Sequence, residues 1–310
     1  MRIAIIGQQY FGKAVMEAFL ARGDEVVAVF VAPEREGASP DPLRVDAEKR
    51  NIRVFQMPCL MDAVAENVMK SLEVDIAIMA FVLQFVSQSF VNTPRFGTIQ
   101  YHPSLLPRHR GPSSINWPIV CGETETGLTI FRPTDGMDEG PIILQKKVPI
   151  LPDDTLGRIY FDQLFPLGVQ ALLEAADLVV AGRHVETVQD ESQACYEGWF
   201  RLPEAKINWN MHVSLIYNLI RGSDPSPGAW TTVDGETVQF YAARKHLFPT
   251  FREIKGAVGE ISEMGEKSFR VTAHGGQIEI FSVCPSGFGK CPAMEYAREK
   301  GWHIGTRFGD

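Results

Sequence analysis

Arg2–Ile6 is a short β-branched apolar run without alternation, as expected of a strand buried on both faces. Gly7 closes it, and Phe11–Leu20 continues with helical spacing. The same succession recurs downstream. Glu25–Val31 reads as a strand, Pro33–Pro42 as a polar loop and Leu43–Arg50 as a short helix. Val54–Phe55 reads as a strand, Met61–Ser71 as a helix and Asp75–Ala80 as a strand. Phe81–Val86 lies just past that strand end and is apolar and β-prone. Thr98, Ile99 and Tyr101 favour a further strand, which must stop near His102 because Pro103 has no N–H for a sheet ladder. A helix is expected over Ser113–Cys121, capped near Ser113 or Ser114 and disturbed by Pro118. Strands Gly127–Arg132 and Ile142–Val148 flank a glycine- and aspartate-rich loop, Pro133–Gly140. Asp154 or Thr155 should cap a long helix that runs to about Ala181 and kinks at Pro166. Alternating βα units predict a doubly wound, mostly parallel α/β sheet.

The second part of the chain has a different rhythm. Gly182–Glu204 is turn-rich and reads as a connection. A helix is expected over His212–Ile220. Short β-prone runs follow at Trp230–Val233, Thr237–Ala243, Val258–Ile261, Ser268–Ala273 and Ile278–Cys284, separated by glycine turns. That pattern suggests a small open β-barrel. The expected division is a first domain over 1–182, a linker over 183–203 and a second domain over 204–310.

Composition narrows the function classes. With 45% hydrophobic and 22% charged residues in 310, the chain can bury a sizeable core as one large domain or two ordinary ones. A net charge of −8 argues against nucleic acid as the main ligand, since phosphate backbones call for a basic surface. Cys59, Cys121, Cys195, Cys284 and Cys291 are scattered, odd in number and contain no Cys-x-x-Cys pair. They read as reduced thiols of a cytoplasmic protein, with no zinc site. The N-terminal apolar run is too short for a signal peptide, and no stretch reads as long and apolar enough to span a bilayer. Gly7–Lys13 has the outline of a phosphate-binding loop, but Ala14 stands where a Ser or Thr should bind magnesium, and the middle glycine of a dinucleotide fingerprint is missing. A tight βα turn explains those glycines without a nucleotide.

The most informative stretch is Gly97–Gly111. It sets His102 at a strand end beside a loop stiffened by Pro103 and Pro107, where ligands of open α/β sheets bind. Gln100, His102, Pro103, Ser104, Leu105, Leu106 and Pro107, with Met137, Asp138, Glu139 and Gly140 further on, resemble the core motif of the folate-dependent formyltransferase family. In that family the strand reads Asn-x-His followed by Pro-Ser-Leu-Leu-Pro, and an Asp lies in a later Leu-Asp-x-Gly loop. Pro141–Gln145 is also family-like. Tyr101-His102 through Arg108-His109-Arg110-Gly111, Ser114–Trp117, Tyr196-Glu197-Gly198, Ala205–Trp209 and Arg221-Gly222 are most similar to the hydrolase domain of 10-formyltetrahydrofolate dehydrogenases. The chain also resembles methionyl-tRNA formyltransferases.

The resemblance implies a Rossmann-like catalytic domain followed by an open barrel like an oligonucleotide-binding fold. It implies 10-formyltetrahydrofolate as co-substrate, water or a small amine as acceptor, and no metal. Phe81, Val82, Leu83, Phe85 and Val86 would line the pterin pocket, and Asp135, Gly136 and Met137 are further candidates for folate contacts. Formyl transfer proceeds by addition of water or an amine to the formyl carbon, through a tetrahedral oxyanion. A histidine beside a carboxylate can stabilise that oxyanion and move the protons, because the negative charge favours the imidazolium and fixes its orientation. His102 is assigned to stabilise the intermediate and Asp138 to orient the nucleophile or relay its proton. Gln100 stands where most of the family has Asn and the hydrolase subgroup an apolar residue, and its amide is assigned a retained role at the oxyanion. Asp135 and His109 read otherwise as loop residues, His109 at the surface. Ser104 lacks a nucleophile elbow and reads as holding its loop. Two alternatives stand beside this reading, a methionyl-tRNA formyltransferase and a non-catalytic folate-binding regulatory module.

Overall fold

The computed structural model describes residues 1–248, 250 and 255–309. Residues 249, 251–254 and 310, all inside the expected second domain, lie outside the described residues. The chain forms two compact units. The first comprises residues 1–114, 126–148 and 161–197, and the second 115–125, 149–160 and 198–310. Residues 183–197, expected as linker, thus belong with the first unit, while two short segments inside 1–182 belong with the second. The reason for the former is a set of buried polar contacts described below.

The first unit is built on a seven-stranded sheet in the order β3-β2-β1-β4-β5-β6-β7. The strands are β1 (Arg2–Gly7), β2 (Glu25–Val31), β3 (Arg53–Gln56), β4 (Ile76–Ala80), β5 (Thr98–His102), β6 (Glu125–Phe131) and β7 (Ile142–Pro149). β1 through β5 pair in parallel, and β6 runs antiparallel to β5. All of β4 and five of the six residues of β1 are buried, which accounts for their unbroken apolar sequences. Helices α1 (Gln9–Ala21), α2 (Pro42–Lys49), α3 (Ala63–Ser71) and α4 (Gln88–Val91) supply the crossovers. The side chains of Asp41, Asp62 and Ser87 cap α2, α3 and α4. The turn after β1 is a close approach and nothing more. A Cβ on Gly7 would lie 2.1 Å from the carbonyl oxygen of Ala80, so only glycine fits there.

Two expectations are corrected. The helix expected from Ser113 begins as α5 at Asn116 without a side-chain cap, and Pro118 sits in its first turn, where the missing N–H costs no hydrogen bond. Phe81–Val86 follows β4 outside the sheet, just past the strand end as expected. Phe81 takes a left-handed conformation (φ +64°) that ends β4, and the Gln84 amide donates to the carbonyls of Met57 and Pro58. The second corrected expectation is that no stretch could span a bilayer: Leu156–Val180 is 25 residues long and, by length and composition alone, apolar enough to cross a membrane. It consists of α6 (Leu156–Arg158), a π-helical turn over Ile159–Leu164 and α7 (Phe165–Val180). The irregular turn directly precedes Pro166, which has no N–H to give. α7 buries Gly168, Ala171, Leu172, Ala175, Ala176 and Val179 along one face.

The second unit holds α8 (Val213–Gly222), capped by the His212 side chain, and an antiparallel sheet. Its strands are β8 (Ala229–Val233), β9 (Glu236–Leu247), β10 (Ile261–Met264), β11 (Phe269–Ala273) and β12 (Gly276–Pro285). They follow the open path β10-β11-β12-β9-β8, and the two-residue β13 (Cys291–Pro292) pairs with β12. The strand expected at Val258–Ile261 starts only at Ile261, because Gly256 and Gly259 hold turns with positive φ. α9 (Ala293–Glu299) has no counterpart in the expected elements. Trp209, Phe240, Phe269, Trp302 and Phe308 form a buried aromatic cluster in offset and edge-on contacts.

Candidate active site

β5 ends at His102, at the carboxyl edge of the sheet. Its neighbours fix the register: Gln100 pairs with Met79 of β4 and Phe131 of β6, and His102 with Thr129. Alternation puts Gln100 and His102 on one side of the strand and Tyr101 on the other. His102 is buried, and its Nε2 lies 2.8 Å from the carbonyl oxygen of His109. A carbonyl only accepts, so Nε2 carries a proton and donates it there. Nδ1 is therefore the nitrogen turned to the site, and it lies 3.6 Å from Oδ2 of Asp138. That separation is too long for a good direct hydrogen bond and suits a bridging water or substrate atom.

Asp138 reaches this position from the turn between β6 and β7. Its backbone is left-handed (φ +57°), a conformation tolerated by Asp and costly for most residues. The Gly111 N–H donates to Oδ2 at 2.9 Å. Gly111 itself has φ +108°, and a Cβ there would lie 2.3 Å from the carbonyl oxygen of Glu197. Glycine is thus required for the backbone that holds the carboxylate. Ser104 is fully buried and donates to the Arg108 carbonyl at 2.7 Å, closing the loop after β5.

A second layer ties these loops together. Arg110 is fully buried. Its guanidinium donates to Gln189 Oε1 (2.8 and 3.2 Å), to both Glu191 oxygens (2.6 and 2.9 Å) and to the Tyr196 hydroxyl (2.6 Å). The Gln189 amide donates in turn to the carbonyls of Asp138 (2.8 Å) and Gly140 (2.7 Å). The hydrogen bond to Glu191 raises the Arg110 pKa, and Arg110 holds Glu191 below the usual carboxylate range. Tyr196 also bonds Glu139, and that bond pushes its phenol up. These contacts draw 183–197 into the first unit. Spacing gives no hint of Gln189 or Glu191, whereas Arg110 and Tyr196 lie inside the family-like segments and could have been singled out as charged and aromatic members of them.

The remaining expected residues divide. Phe81, Val82 and Leu83 line a shallow open cleft with Ile6, Gly7, Gln8, Phe30, Ala32 and Gln84 at the carboxyl ends of β1, β2 and β4. This is where the strand order reverses about β1, the usual ligand position in such sheets. Phe81, Leu83 and Phe85 expose 41%, 50% and 60% of their surfaces, a row of apolar side chains left in water. Phe85 and Val86 are not part of that cleft, and Val86 is buried against the core. Asp135 and Met137 are exposed on the loop that carries Asp138 and do not line the cleft, nor does Gly136. His109, expected at the surface, is buried. Among the described residues the Gln100 amide has no hydrogen-bond partner, so its side chain is not committed elsewhere in the fold.

Known proteins with this architecture identify the chain. The sequence model of the formyl transferase family matches residues 1–175, and that of the formyl transferase C-terminal domain matches 202–301. Cytosolic 10-formyltetrahydrofolate dehydrogenase of Xenopus laevis is 42% identical over 248 residues, which is 78% of this chain. The match spans only 27% of that relative's length. Methionyl-tRNA formyltransferase of Geotalea uraniireducens (strain Rf4) is 32% identical over 286 residues, covering 90% of this chain and 89% of the relative. Among solved structures, HypX from Aquifex aeolicus in complex with tetrahydrofolic acid shares the fold with a TM-score of 0.69 at 19% identity, over 96% of this chain and 47% of that one. The sugar 3N-formyl transferase WlaRD, solved in the presence of dTDP and 5-N-formyl-THF, superposes with a TM-score of 0.68 at 19% identity, over 93% and 98%. The chain belongs to the formyl transferase family.

Proposed function

We propose that this chain removes the formyl group of 10-formyltetrahydrofolate and passes it to water or a small amine, with water favoured. The observation that carries the reading is the pairing of His102 Nδ1 with Asp138 across 3.6 Å at the carboxyl edge of the sheet. Water held by Asp138 adds its oxygen to the formyl carbon while the carboxylate takes its proton. The formyl oxygen becomes an oxyanion, stabilised by His102 Nδ1–H and by the Gln100 amide. Collapse breaks the bond to the folate nitrogen, which receives the proton from Asp138, leaving tetrahydrofolate and formate. An amine follows the same course and yields a formamide. None of these steps calls for a metal. Nε2 of His102 stays bonded to the His109 carbonyl throughout and fixes the ring.

The exposed side chains of Phe81 and Leu83 beside the cleft support this assignment, because they offer a flat ring an apolar surface to lie against. The preference for water rests on the segments that resemble the hydrolase domain of the 10-formyltetrahydrofolate dehydrogenases, to one of which the chain is 42% identical over 248 residues. A methionyl-tRNA acceptor is favoured by the near full-length match to the Geotalea protein. The net charge of −8 opposes it, because tRNA binding draws on a basic surface. An intact His102–Asp138 pair opposes a purely regulatory module. The C-terminal sheet is read as the OB-like module of the family, and the cytoplasm as the location.

The test mixes the protein with 10-formyltetrahydrofolate and follows tetrahydrofolate by absorbance, alone, with candidate amines, and with charged initiator tRNA. Formyl loss without any acceptor is expected, with little gain from amines or tRNA. Turnover that depends strictly on an amine would move the assignment to that amine. Efficient, steeply salt-dependent formylation of tRNA would overturn the preference for water.

A further inference from the structure

The chain carries a cluster of metal-ligand atoms that formyl transfer does not use. His109, Cys195 and Glu197 bring one ring nitrogen, one sulfur and one carboxylate oxygen within 4.8 Å of one another. His109 Nδ1 and Glu197 Oε1 are 3.2 Å apart. Two such ligands on a tetrahedral zinc ion, at bond lengths of about 2.0–2.2 Å, stand about 3.3–3.6 Å apart. The existing separation needs to widen by only a few tenths of an ångström.

Three features show that the group is built into the fold. The residues come from segments 86 positions apart that meet in a parallel bridge between Arg110 and Tyr196: Arg110 N–H donates to the Cys195 carbonyl (3.0 Å), Glu197 N–H to the Arg110 carbonyl (3.1 Å) and Cys195 N–H to the Pro107 carbonyl (3.3 Å). The His109 N–H points at the Cys195 sulfur at 3.1 Å, the kind of outer bond that supports a thiolate ligand. Finally, Glu197 Oε2 is a buried oxygen with no hydrogen-bond partner among the described residues, and such atoms call for an explanation.

We infer that His109, Cys195 and Glu197 form a binding site for a single zinc ion. Thiolate, imidazole and carboxylate together match zinc better than magnesium or calcium, which take oxygen ligands. Three protein ligands leave a fourth position for water. Binding takes Cys195 as the thiolate, its proton passing to solvent, with His109 as neutral imidazole. The ion lies on the Nε2 side of His102, through the His109 carbonyl, whereas Asp138 lies on the Nδ1 side. Its role is to lock the segment from which His102 is held, and the inference stands whichever formyl acceptor is correct. The ligands are too far apart in sequence for any spacing rule to reveal them.

The test uses the full chain, freed of metal by a chelator and titrated with Co²⁺ alone, followed by competition with Zn²⁺. One Co²⁺ per chain is expected, with a thiolate-to-cobalt charge-transfer band that Zn²⁺ abolishes. Cys195→Ser should remove the band. Glu197→Gln, and His109→Asn, chosen because Asn tolerates the positive φ of +55° at that position, should weaken binding by more than the roughly 10–100-fold that loss of an outer-shell partner costs. Ser substitutions at Cys59, Cys121, Cys284 or Cys291 should leave the band intact. Circular dichroism checks that each variant folds. If Cys195→Ser does not fold, Glu197→Gln decides the matter, since it keeps size and shape. Absence of stoichiometric Co²⁺ binding to the wild type, or unchanged binding in folded Cys195→Ser or Glu197→Gln, overturns the site.

Discussion

Gln189→Leu is the most informative single change in the second layer. The Gln189 side chain is 5% exposed and makes four hydrogen bonds, two from the Arg110 guanidinium and two to the carbonyls of Asp138 and Gly140. Leucine has similar bulk and none of these bonds, so the loss is polar rather than a cavity. Two carbonyls lose a neutral hydrogen bond at about 1 kcal/mol each, and the guanidinium loses a charged contact at about 1.5–3 kcal/mol. Glu191 and Tyr196 still hold Arg110, so its charge is not stranded. The sum is roughly 3–5 kcal/mol, an appreciable part of the roughly 5–15 kcal/mol that holds a domain together. In a unit of this size that lowers the melting temperature by roughly 10 °C. The same bonds fix the backbone of Asp138, and a shift of about 1 Å can cost about a hundredfold in rate. Gln189 is thus a positioning residue. Below its melting temperature the variant should show reduced kcat with little change in KM, and Gln189→Glu, which keeps the acceptors for Arg110 and loses the donors to the loop, should slow turnover while retaining more stability. Thermal unfolding and steady-state kinetics check both. Wild-type stability and kcat in Gln189→Leu would refute the view that 183–197 holds the catalytic loop.

Three further outcomes are expected. Gln100→Leu should slow single-turnover formyl removal more than it weakens folate binding, because the proposed hydrogen bond from the amide belongs to the oxyanion of the transition state; an unchanged rate would remove the amide from the mechanism. Gly111→Ala should lose at least roughly 1–3 kcal/mol, and activity with it, since its φ of +108° and the Glu197 oxygen 2.3 Å from a Cβ leave no room; near wild-type melting and turnover would contradict this. Burial pushes the Tyr241 phenol up to about 12. The unfolded chain ionises first, so the stabilisation is complete below about pH 10 and is lost as pH rises from there through about 12. Tyr241→Phe should therefore lose less melting temperature than wild type between about pH 9 and 11, and equal losses would dismiss the phenol as the cause.

The sheet was legible because its strands are buried on both faces and carry that fact as unbroken apolar runs, as in Ile3–Ile6 and Ile76–Ala80. His102 was legible because Pro103 ends its strand and the flanking motif is specific. The end of β4 at Ala80 was legible too, but not the left-handed φ of Phe81 that follows it, since propensity does not register that conformation. The long helix to about Ala181 was legible, whereas the expectation of no bilayer-length apolar stretch missed Leu156–Val180 within it. Gln189, Glu191 and the His109–Cys195–Glu197 group were illegible for a different reason. Each acts across some 80 positions of sequence, and only the folded chain brings such partners together.

The central claim is that His102 and Asp138 together take the formyl group from 10-formyltetrahydrofolate. Single-turnover formyl release, measured beside folate affinity for wild type, His102→Ala and Asp138→Asn, tests it most directly. The account predicts a loss of roughly a hundredfold or more in rate for each variant, with folate affinity and folding retained. A folded variant that releases formate or formamide at close to the wild-type rate would contradict it.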